Sequence, residues 1–496
     1  MKISMQKPWL LVVVVLVGLL QSQCRKQNFT DDPNAVLEFS MDTVLFDTIF
    51  NTIGSTTRML KVYNRNRQAV KVSSIQVLGG QASQYRINVN GLPGDVFEDV
   101  EIHGRDSIFI FVQVTVDPAD SLHPFVEDRI RFETNGNVQH VNLLAWGWDA
   151  IFYTPNVFPT NGLPPYRIIN PEPGGTTIWT SEKPIVIYGY AVVDDGDHLI
   201  IEPGTRIFLH DGSGLWVFKD GWIEAEGTLE EPIVFQGDRL EPFYQDQPGQ
   251  WDRIWINEGP NDNVFKHVII RNSFIGIQAE TLPFGGNEQA PTSSNRLILE
   301  NCRIYNTSLI GLLGRNYQIE GQNCLFYDSG QHLFAVSGGG VYNFNLCTFA
   351  NYWTFSSRQS PLLLMTNAYQ NPPGVLQVRS IENTTFSNCI FYGNNENEVE
   401  LVFDDEGVID ITFEHSILRY NEEDFDYSEY FGESVFVNEA PGFANTFERV
   451  FKLAPGAFAI GKGTPSPNVP FAPSDLDILG NPRIGQPDLG CFEFVP

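Results

Sequence analysis

The sequence predicts an all-β protein in which an N-terminal β-sandwich precedes a right-handed parallel β-helix solenoid. The chain of 496 residues contains 43 Gly and 31 Pro, and runs of helix-forming residues are scarce. Short runs of alternating apolar and polar residues fill roughly the first quarter of the chain. Further along, a motif centred on cysteine returns about every 22 residues, which is the mark of a repeat architecture.

Size and charge limit the classes of function. A chain of 496 residues is too long for one hydrophobic core, so two or three domains are expected. The formal net charge is −29, from 60 acidic and 31 basic residues. Nucleic acid and anionic membrane surfaces are therefore disfavoured as partners, because both require basic patches. Neutral and cationic ligands suit such a surface, whereas a polyanionic substrate would need a local basic cleft.

The N-terminus carries the features of an export signal. Lys2 and Lys7 flank a short positive region, and the apolar run Trp9–Leu20 is 12 residues long. That length is too short for a membrane span and is typical of a signal peptide. The run ends in "LLQSQC", which resembles a bacterial lipoprotein signal. The resemblance implies that Cys24 is lipidated and anchors the protein to the outer membrane, facing the cell surface.

The segment from Val36 to Ala150 predicts the sandwich. Strand-like runs such as "TRMLKVYN" and "SIFIFVQVTVDP" alternate with the turn signals "DP", "NG" and "GG". The order of "LKVYNRN", "YRINVNG" and "DSIFIFVQVTVDP" resembles the immunoglobulin-like modules of the ASH/HYDIN type. That resemblance implies an immunoglobulin-like domain, and a Pro- and Gly-rich stretch after it marks a linker.

The repeat predicts the solenoid. Its copies are "ENCRIYN", "QNCLFYD", "NLCTFAN" and "SNCIFYG", which begin at Glu300, Gln322, Asn345 and Ser387. Cys302 and Cys324 are 22 residues apart, and the later gaps are longer where polar insertions occur. Stacked coils of a parallel β-helix give such a period, because each coil buries its apolar side chains only against its neighbours.

Three explanations for the regular cysteines compete: disulfides, a metal site, or one interior position repeated on stacked coils. Five cysteines remain after Cys24, an odd number, and residues in register on parallel strands are poorly placed to form bridges. A metal site would require CxxC or paired Cys/His spacing, which the sequence lacks. We therefore expect a structural ladder of buried thiols preceded by hydrogen-bonding asparagines, broken at Leu346. Its members are Asn301, Cys302, Asn323, Cys324, Cys347, Asn388 and Cys389.

Other motifs in the second part of the chain resemble a known fold family. "LIIEPGTRIFL" and "GQWDRIWI" resemble the opening coils of pectate-lyase-like right-handed β-helix proteins, and "SDLDILGNPRIGQPDLGCFEF" resembles their closing segment. With the lipoprotein signal and the sandwich, the whole chain resembles Bacteroidetes-type surface lipoproteins. This group includes lyases, hydrolases, epimerases and adhesins, so the resemblance implies a fold more than an activity.

The predicted organisation follows from these observations. Its parts are a signal peptide over 1–24 that ends at the lipidated Cys, a tether over 25–35, an immunoglobulin-like sandwich over 36–150, a Pro/Gly-rich linker over 151–184, and a right-handed parallel β-helix over 185–496.

Candidate ligand contacts are few. Trp251 and Arg253 could contact sugar, although packing is the commoner role of a tryptophan at such a place. Tyr427, Tyr430 and Phe431 could stack on sugar rings, although a solvated insertion is the commoner explanation of an acidic segment. No catalytic residue is assigned, because GxSxG, HExxH and P-loop motifs are absent. The acidic "VVDDGDH" lacks the ligand spacing of a calcium loop, so no metal or cofactor is assigned.

The sequence thus predicts a non-catalytic, lipid-anchored envelope protein that binds a glycan or a partner protein through its β-helix. The alternative is a polysaccharide lyase or glycoside hydrolase on the same fold, and a third is a purely structural envelope component. A basic residue and carboxylates converging on one face of the solenoid would favour the enzyme. Nucleic acid is not an expected partner.

Overall fold

The computed structural model of the chain describes residues 28–50, 55, 57–115, 125–240, 242–281, 291–370 and 374–496. Cys24 and the predicted signal peptide lie outside these residues. The chain divides into two compact units, one ending at Asp149 and the other beginning at Ala150. Within the described ranges, no helix is long and apolar enough to cross a membrane. The described helices are the 3-10 turns Gly80–Ala82, Pro242–Tyr244 and Ser428–Tyr430.

The N-terminal unit contains two five-stranded sheets, here called N1 and N2, whose buried side chains form one core. In spatial order, the strands of N1 are Glu38–Phe39, Arg58–Asn64, Asp106–Val114, Tyr85–Val89 and Leu92–Gly94. The strands of N2 are Thr43–Phe50, Asn137–Trp148, Phe125–Thr134, Val70–Val77 and Val96–Ile102. Two sheets around one core are consistent with a β-sandwich.

Alternation explains why each N1 strand has one apolar face. In Asp106–Val114, Ile108, Ile110 and Val112 are buried, while the residues between them face outward. Successive side chains of a strand point to opposite faces, so a period of two places every second residue in the core. The outward residues of N1 are thereby left on the surface of this unit.

The C-terminal unit contains three long parallel sheets, here called A, B and C. The 11 strands of sheet A are Ile151–Tyr153, Ile185–Ile187, Arg206–Leu209, Ile233–Gly237, Val268–Arg271, Arg303–Thr307, Leu325–Ser329, Thr348–Asn351, Ile390–Gly393, Ile417–Leu418 and Phe436–Val437. The nine strands of sheet B are Tyr166–Ile168, Tyr190–Val193, Gly214–Val217, Ile254–Ile256, Ile275–Glu280, Ile310–Arg315, His332–Ser337, Leu363–Thr366 and Val399–Val402. The nine strands of sheet C are Thr176–Trp179, His198–Ile201, Trp222–Glu226, Asn263–Lys266, Arg296–Glu300, Tyr317–Gln322, Gly340–Asn345, Ile381–Ser387 and Ile409–Glu414.

The chain visits sheets A, B and C in turn, and each visit adds one strand beside the previous strand of the same sheet. This connectivity is consistent with a β-helix solenoid and with the sequence repeat. Equivalent side chains therefore stack along the core. The rings of Phe326 and Phe349 lie 4.6 Å apart, and those of Phe349 and Phe391 lie 4.7 Å apart. Such stacks account for much of the high Phe content of the chain.

The repeated cysteines occupy the corner between sheets C and A. Cys302, Cys324, Cys347 and Cys389 are buried, free thiols. Each sulfur donates to the backbone carbonyl two residues earlier, as from Cys324 Sγ to the oxygen of Gln322 at 3.2 Å. In the next coil, the Ser416 hydroxyl makes the same bond to Glu414 at 2.7 Å. The position therefore takes a small side chain with a donor that satisfies a carbonyl of the turn.

The residue before each thiol adopts the left-handed backbone conformation. The φ angles are 54° at Asn301, 58° at Asn323 and 54° at Asn388, and Leu346 has the same φ of 54°. Asparagine tolerates this conformation better than most residues do, because its side chain bonds locally. Asn323 Nδ2 donates to Asn301 Oδ1 at 2.5 Å, and no side-chain amide continues the chain of bonds at Leu346. The left-handed backbone of the turn thus explains the choice of asparagine at this position as much as the side-chain hydrogen bonds do.

Residues 438–496, the C-terminal segment, cover the outer face of the later strands of sheet A. Phe451, Ile478 and Phe492 pack on this face with Leu325 and Ala350. The segment includes the antiparallel hairpin Phe443–Asn445 with Val450–Leu453, and a second hairpin, Ala368–Gln370 with Leu376–Val378, lies between strands of sheets B and C. The C-terminal segment therefore covers part of the outer face of sheet A and makes it inaccessible to ligands.

The buried thiols lead to a prediction for chemical reactivity. In protein spanning 25–496, none of the five cysteines should react with Ellman's reagent in the native state, and all five should react in denaturant. Burial raises the pKa of Cys302, Cys324 and Cys347 well above the usual range and that of Cys491 to about 12, so little thiolate forms. Rapid reaction of Cys302, Cys324, Cys347 or Cys389 in the folded protein would contradict the ladder.

The left-handed turn leads to a second prediction. Asn323→Ala should lower the free energy of unfolding by about 1–3 kcal/mol, because alanine disfavours this backbone conformation and loses the bonds to Asn301 and Arg483. Asn323→Gly loses the same bonds and keeps the conformation, so its loss should be smaller. Urea unfolding of both variants measures the difference. Equal losses would show that backbone conformation has no part in selecting asparagine.

Candidate functional site

Three of the predicted sugar contacts close the end of the solenoid core. Tyr427 is 5% exposed, and its hydroxyl accepts a bond of 3.2 Å from the backbone N–H of Leu401. Tyr430 packs edge-on against Phe403, and Phe431 forms a parallel β-bridge with Phe413. All three contact the buried core cluster of the C-terminal unit. The aromatic rings of the segment therefore cover the core, while acidic residues between them, such as Glu422 and Glu429, are exposed to solvent.

The structure separates the other two predicted contacts. Trp251 is 1% exposed, lies in the core, and donates from Nε1 to the backbone oxygen of Arg271 at 2.9 Å. Arg253 is partly exposed and immediately precedes the sheet B strand Ile254–Ile256. Packing therefore explains Trp251, and Arg253 alone among the five predicted contacts keeps a charged group at the surface of a sheet.

Arg253 belongs to a polar and aromatic surface on the outer face of sheet B, here called the sheet B strip. Ile254 and Ile256 point into the core, so the residue between them, Trp255, points outward. Parallel register places Trp216 beside it on the preceding coil, where the two indoles stack 4.5 Å apart with an angle of 9° between their planes. The members of the strip are Trp216, Arg253, Trp255, Gln278, Glu280 and Arg315.

One buried carboxylate organises the strip. Glu280 Oε1 accepts from Trp255 Nε1 at 2.7 Å and also from the side-chain amide of Gln278. Its other oxygen, Oε2, accepts from Arg315 Nη1 at 3.0 Å. Arg253 Nη1 in turn donates to Gln278 Oε1. The network fixes the rotamers of an indole and of two guanidinium groups relative to one another.

The charge of the strip depends on how deeply each of its ionisable side chains is buried. The Glu280 side chain is 1% exposed, and this burial raises the pKa of its carboxyl, against the opposing effects of Arg315, Gln278 and Trp255. The side chains of Arg253 and Arg315 remain 23% and 26% exposed. The exposed cations of the strip are therefore these two arginines, and Asp252, which is 25% exposed, pairs with Arg253 beside the strip.

A second carboxylate, that of Asp252, lies beside the strip, and both of its oxygens also accept hydrogen bonds from protein donors. Asp252 Oδ1 accepts from Arg253 Nε at 2.9 Å, and Oδ2 accepts from the hydroxyl of Tyr190. A general acid or base must be able to exchange a proton with a ligand, and paired carboxylates of a glycosidase face a scissile bond. Here both carboxylates are bound to donors of the protein, so the arrangement is suited to holding side chains in place rather than to proton transfer.

In the described part of the chain, the acidic residues form no metal centre. Within the described ranges, no group of three or more His, Cys, Asp or Glu side chains could hold a metal ion. In the acidic turn "VVDDGDH", Asp197 is 2% exposed and accepts from the backbone N–H groups of Gly174 at 2.8 Å and Gly175 at 3.3 Å. The turn thus uses its carboxylate to close a neighbouring coil.

Sequence reasoning missed Trp216, Gln278, Glu280 and Arg315 as parts of one surface. They lie on three coils, and 99 residues separate Trp216 from Arg315. The signal that could have joined them is the alternation of buried and outward positions along each sheet B strand. Using that signal requires the register between coils, which insertions of variable length obscure.

Comparison with known proteins identifies no relative: no protein-family model matches the chain, and no curated protein matches it significantly.

The raised pKa of Glu280 leads to a third prediction. A carboxyl with a raised pKa binds its proton more tightly in the folded state, so its contribution to stability is present at low pH and is lost as the pH rises through the folded pKa. The free energy of unfolding of Glu280→Gln, relative to that of wild type, should therefore increase as the pH rises above the ordinary pKa of a glutamic acid. Denaturant titrations at several pH values measure this. Glu406→Gln, on an exposed turn, is the control, and a difference independent of pH would contradict the account.

Proposed function

We propose that the protein is a non-catalytic, lipid-anchored protein of the bacterial outer membrane that binds a glycan on the sheet B strip. In this proposal an immunoglobulin-like sandwich separates a right-handed parallel β-helix from the lipid at Cys24, and the protein faces the cell surface as a Bacteroidetes-type lipoprotein. The lipoprotein-like signal and the coil motifs support this assignment, as do the long parallel sheets.

The stacked pair Trp216 and Trp255 is the observation that carries the proposal. Indole rings offer flat apolar surfaces to the carbon-bound hydrogens of a sugar ring, and nearby polar groups then orient its hydroxyls. Trp216 is only 6% exposed and donates from Nε1 to Asn257 Oδ1 at 2.8 Å, so it supports the partly exposed Trp255, which is the indole that a sugar can reach. Arg253 and Arg315 provide N–H donors on either side of the Glu280 network. The network holds these groups before a ligand arrives, which reduces the entropy lost on binding.

An enzyme is the alternative, and one other cluster favours it. His210 Nδ1 lies 2.8 Å from Asp238 Oδ2, and the ring of Tyr188 stacks on the imidazole at 4.6 Å. The hydrogen bond to Asp238 raises the pKa of His210, and the His210 side chain is 47% exposed. A histidine oriented by a carboxylate is one arrangement of a general base in hydrolases and lyases. We rank it second, because the carboxylates of Asp238 and Asp211 favour the protonated imidazolium of His210, which cannot accept a proton as a base.

A fourth prediction tests both candidates with a panel of neutral plant and host polysaccharides in affinity gels. Wild-type protein should be retarded by at least one glycan, Trp255→Ala should lose about 1–3 kcal/mol of binding free energy, and Arg253→Ala should lose less. Trp222→Ala is the matched control, since Trp222 is also partly exposed and stacks on His198, but lies on sheet C.

Mixtures of the protein with these glycans should release no reducing ends, and mixtures with polygalacturonate should gain no absorbance from unsaturated uronates. Release that disappears in His210→Ala would replace the binding proposal with the enzyme. Absence of both retardation and turnover would direct the search to a protein partner of the envelope.

A further inference from the structure

The N-terminal unit carries a local excess of positive charge. Between Thr57 and Gly94 the sequence contains Lys and Arg at six positions and neither Asp nor Glu, although acidic residues outnumber basic ones 60 to 31 in the whole chain. The six are Arg58, Lys61, Arg65, Arg67, Lys71 and Arg86. Such a reversal of sign over one stretch of a chain indicates an interaction surface rather than a general requirement for solubility.

Some of these cations line a cleft on the outer face of sheet N1. The cleft has a volume of about 470 Å3, and its walls are formed by Lys61, Tyr63, Asn64, Arg65, Arg105, Asp106 and Ser107. The Asp106 carboxylate accepts from the backbone N–H of Ser107 at 2.8 Å, and the three cations of the walls outnumber it. Register places Tyr63 opposite Ser107 on neighbouring antiparallel strands, with the buried Val62 below them in the core. A cleft of this size is within the range that holds a small ligand or one unit of a polymer.

The cations surround an aromatic ring. The ammonium of Lys61 lies 5.2 Å from the ring centroid of Tyr63, and the guanidinium carbon of Arg65 lies 4.3 Å from the same centroid. Arg65 also pairs with Glu38 at 2.9 Å, but these side chains are 62% and 56% exposed. An ion pair so open to water contributes little, and an incoming oxyanion can share the guanidinium without a large loss.

Two loops that form the cleft are held together from below. The amide of Asn64 is fully buried and donates to the carbonyls of Gln68 at 2.8 Å and of His103 at 3.1 Å. A Cβ on Gly104 would lie 2.0 Å from the carbonyl oxygen of Arg67, so only glycine permits this approach of the loops. The next residue, Arg105, is exposed and has a left-handed backbone with φ of 62°. A fixed backbone of this kind is common where a side chain must be presented at a binding site.

We propose that the N1 cleft binds an oxyanion of an acidic glycan, a carboxylate or a sulfate group, separately from the sheet B strip. Guanidinium and ammonium groups recognise such oxyanions through charge-assisted hydrogen bonds, and the Ser107 hydroxyl can add a neutral donor. The Tyr63 ring provides a surface for the sugar that bears the group. A concave, polar cleft fits a group on a polymer better than it fits a flat bilayer.

The test uses protein spanning 25–496 in affinity gels and calorimetry with heparin, polygalacturonate and neutral dextran. At least one of the two acidic polymers should bind, dextran should not compete for the cleft, and binding should weaken as salt rises. Arg105→Gln and the double variant Lys61→Gln with Arg65→Gln should each weaken binding about tenfold or more. Arg67→Gln, which removes the same charge from an exposed site outside the cleft walls, should stay within about twofold.

Three outcomes would overturn the proposal. One is the absence of binding to both acidic polymers at low salt, and another is an equal loss in Arg67→Gln and Arg105→Gln, which would indicate unspecific attraction. The third is binding to vesicles of anionic phospholipid without binding to either polymer, which would assign the cleft to a membrane. Thermal unfolding confirms that each variant is folded. Arg105→Gln should bind neutral glycans as wild type does, so this result stands apart from the fate of the sheet B strip.

Discussion

The structure of the C-terminal unit depends on one corner that six successive coils repeat, from His267 to Ser416. At the junction of sheets C and A the chain turns within two residues, and the first of them adopts a left-handed backbone. The second is small and buried, and in five of the six corners it donates to a carbonyl of the turn, as Cys324 and Ser416 do. If this corner changed, strands of sheet A could not remain in register, and the stacked phenylalanines of the core would lose their partners. The spacing of outward residues on sheet B depends on the same register.

The corner is also the part of the fold that the sequence predicts best. Its residues recur with a nearly constant period, so the repeat, the stacked coils and the small buried side chain follow from pattern alone. The left-handed conformation at Leu346 does not follow, because leucine rarely adopts it and neighbouring coils impose it. The thiols had three competing explanations in the sequence, and the structure describes them as free and buried.

The candidate sites were harder to predict for a physical reason. A surface on a solenoid is assembled from one outward residue on each of several coils, so its members are close in space and distant in sequence. Trp255 and Glu280 meet through register, and nothing near Glu280 in the sequence marks it as buried. Aromatic residues near the end of the repeat, such as Tyr427, suggested a ligand platform by type, yet an open end of a solenoid needs the same residues to cover its core.

The C-terminal segment has a consequence for cooperativity. In a stack of coils, each coil contacts only its neighbours, so the end coils are expected to unfold first and one after another. Here Arg483 bonds Asn323, the backbone of Cys491 bonds Thr348, and the backbone of Thr464 bonds Asn388. The C-terminal segment thus binds three successive repeats. These repeats cannot unfold one at a time until the segment detaches, so this end of the molecule should resist mechanical pulling and proteolysis as a single unit.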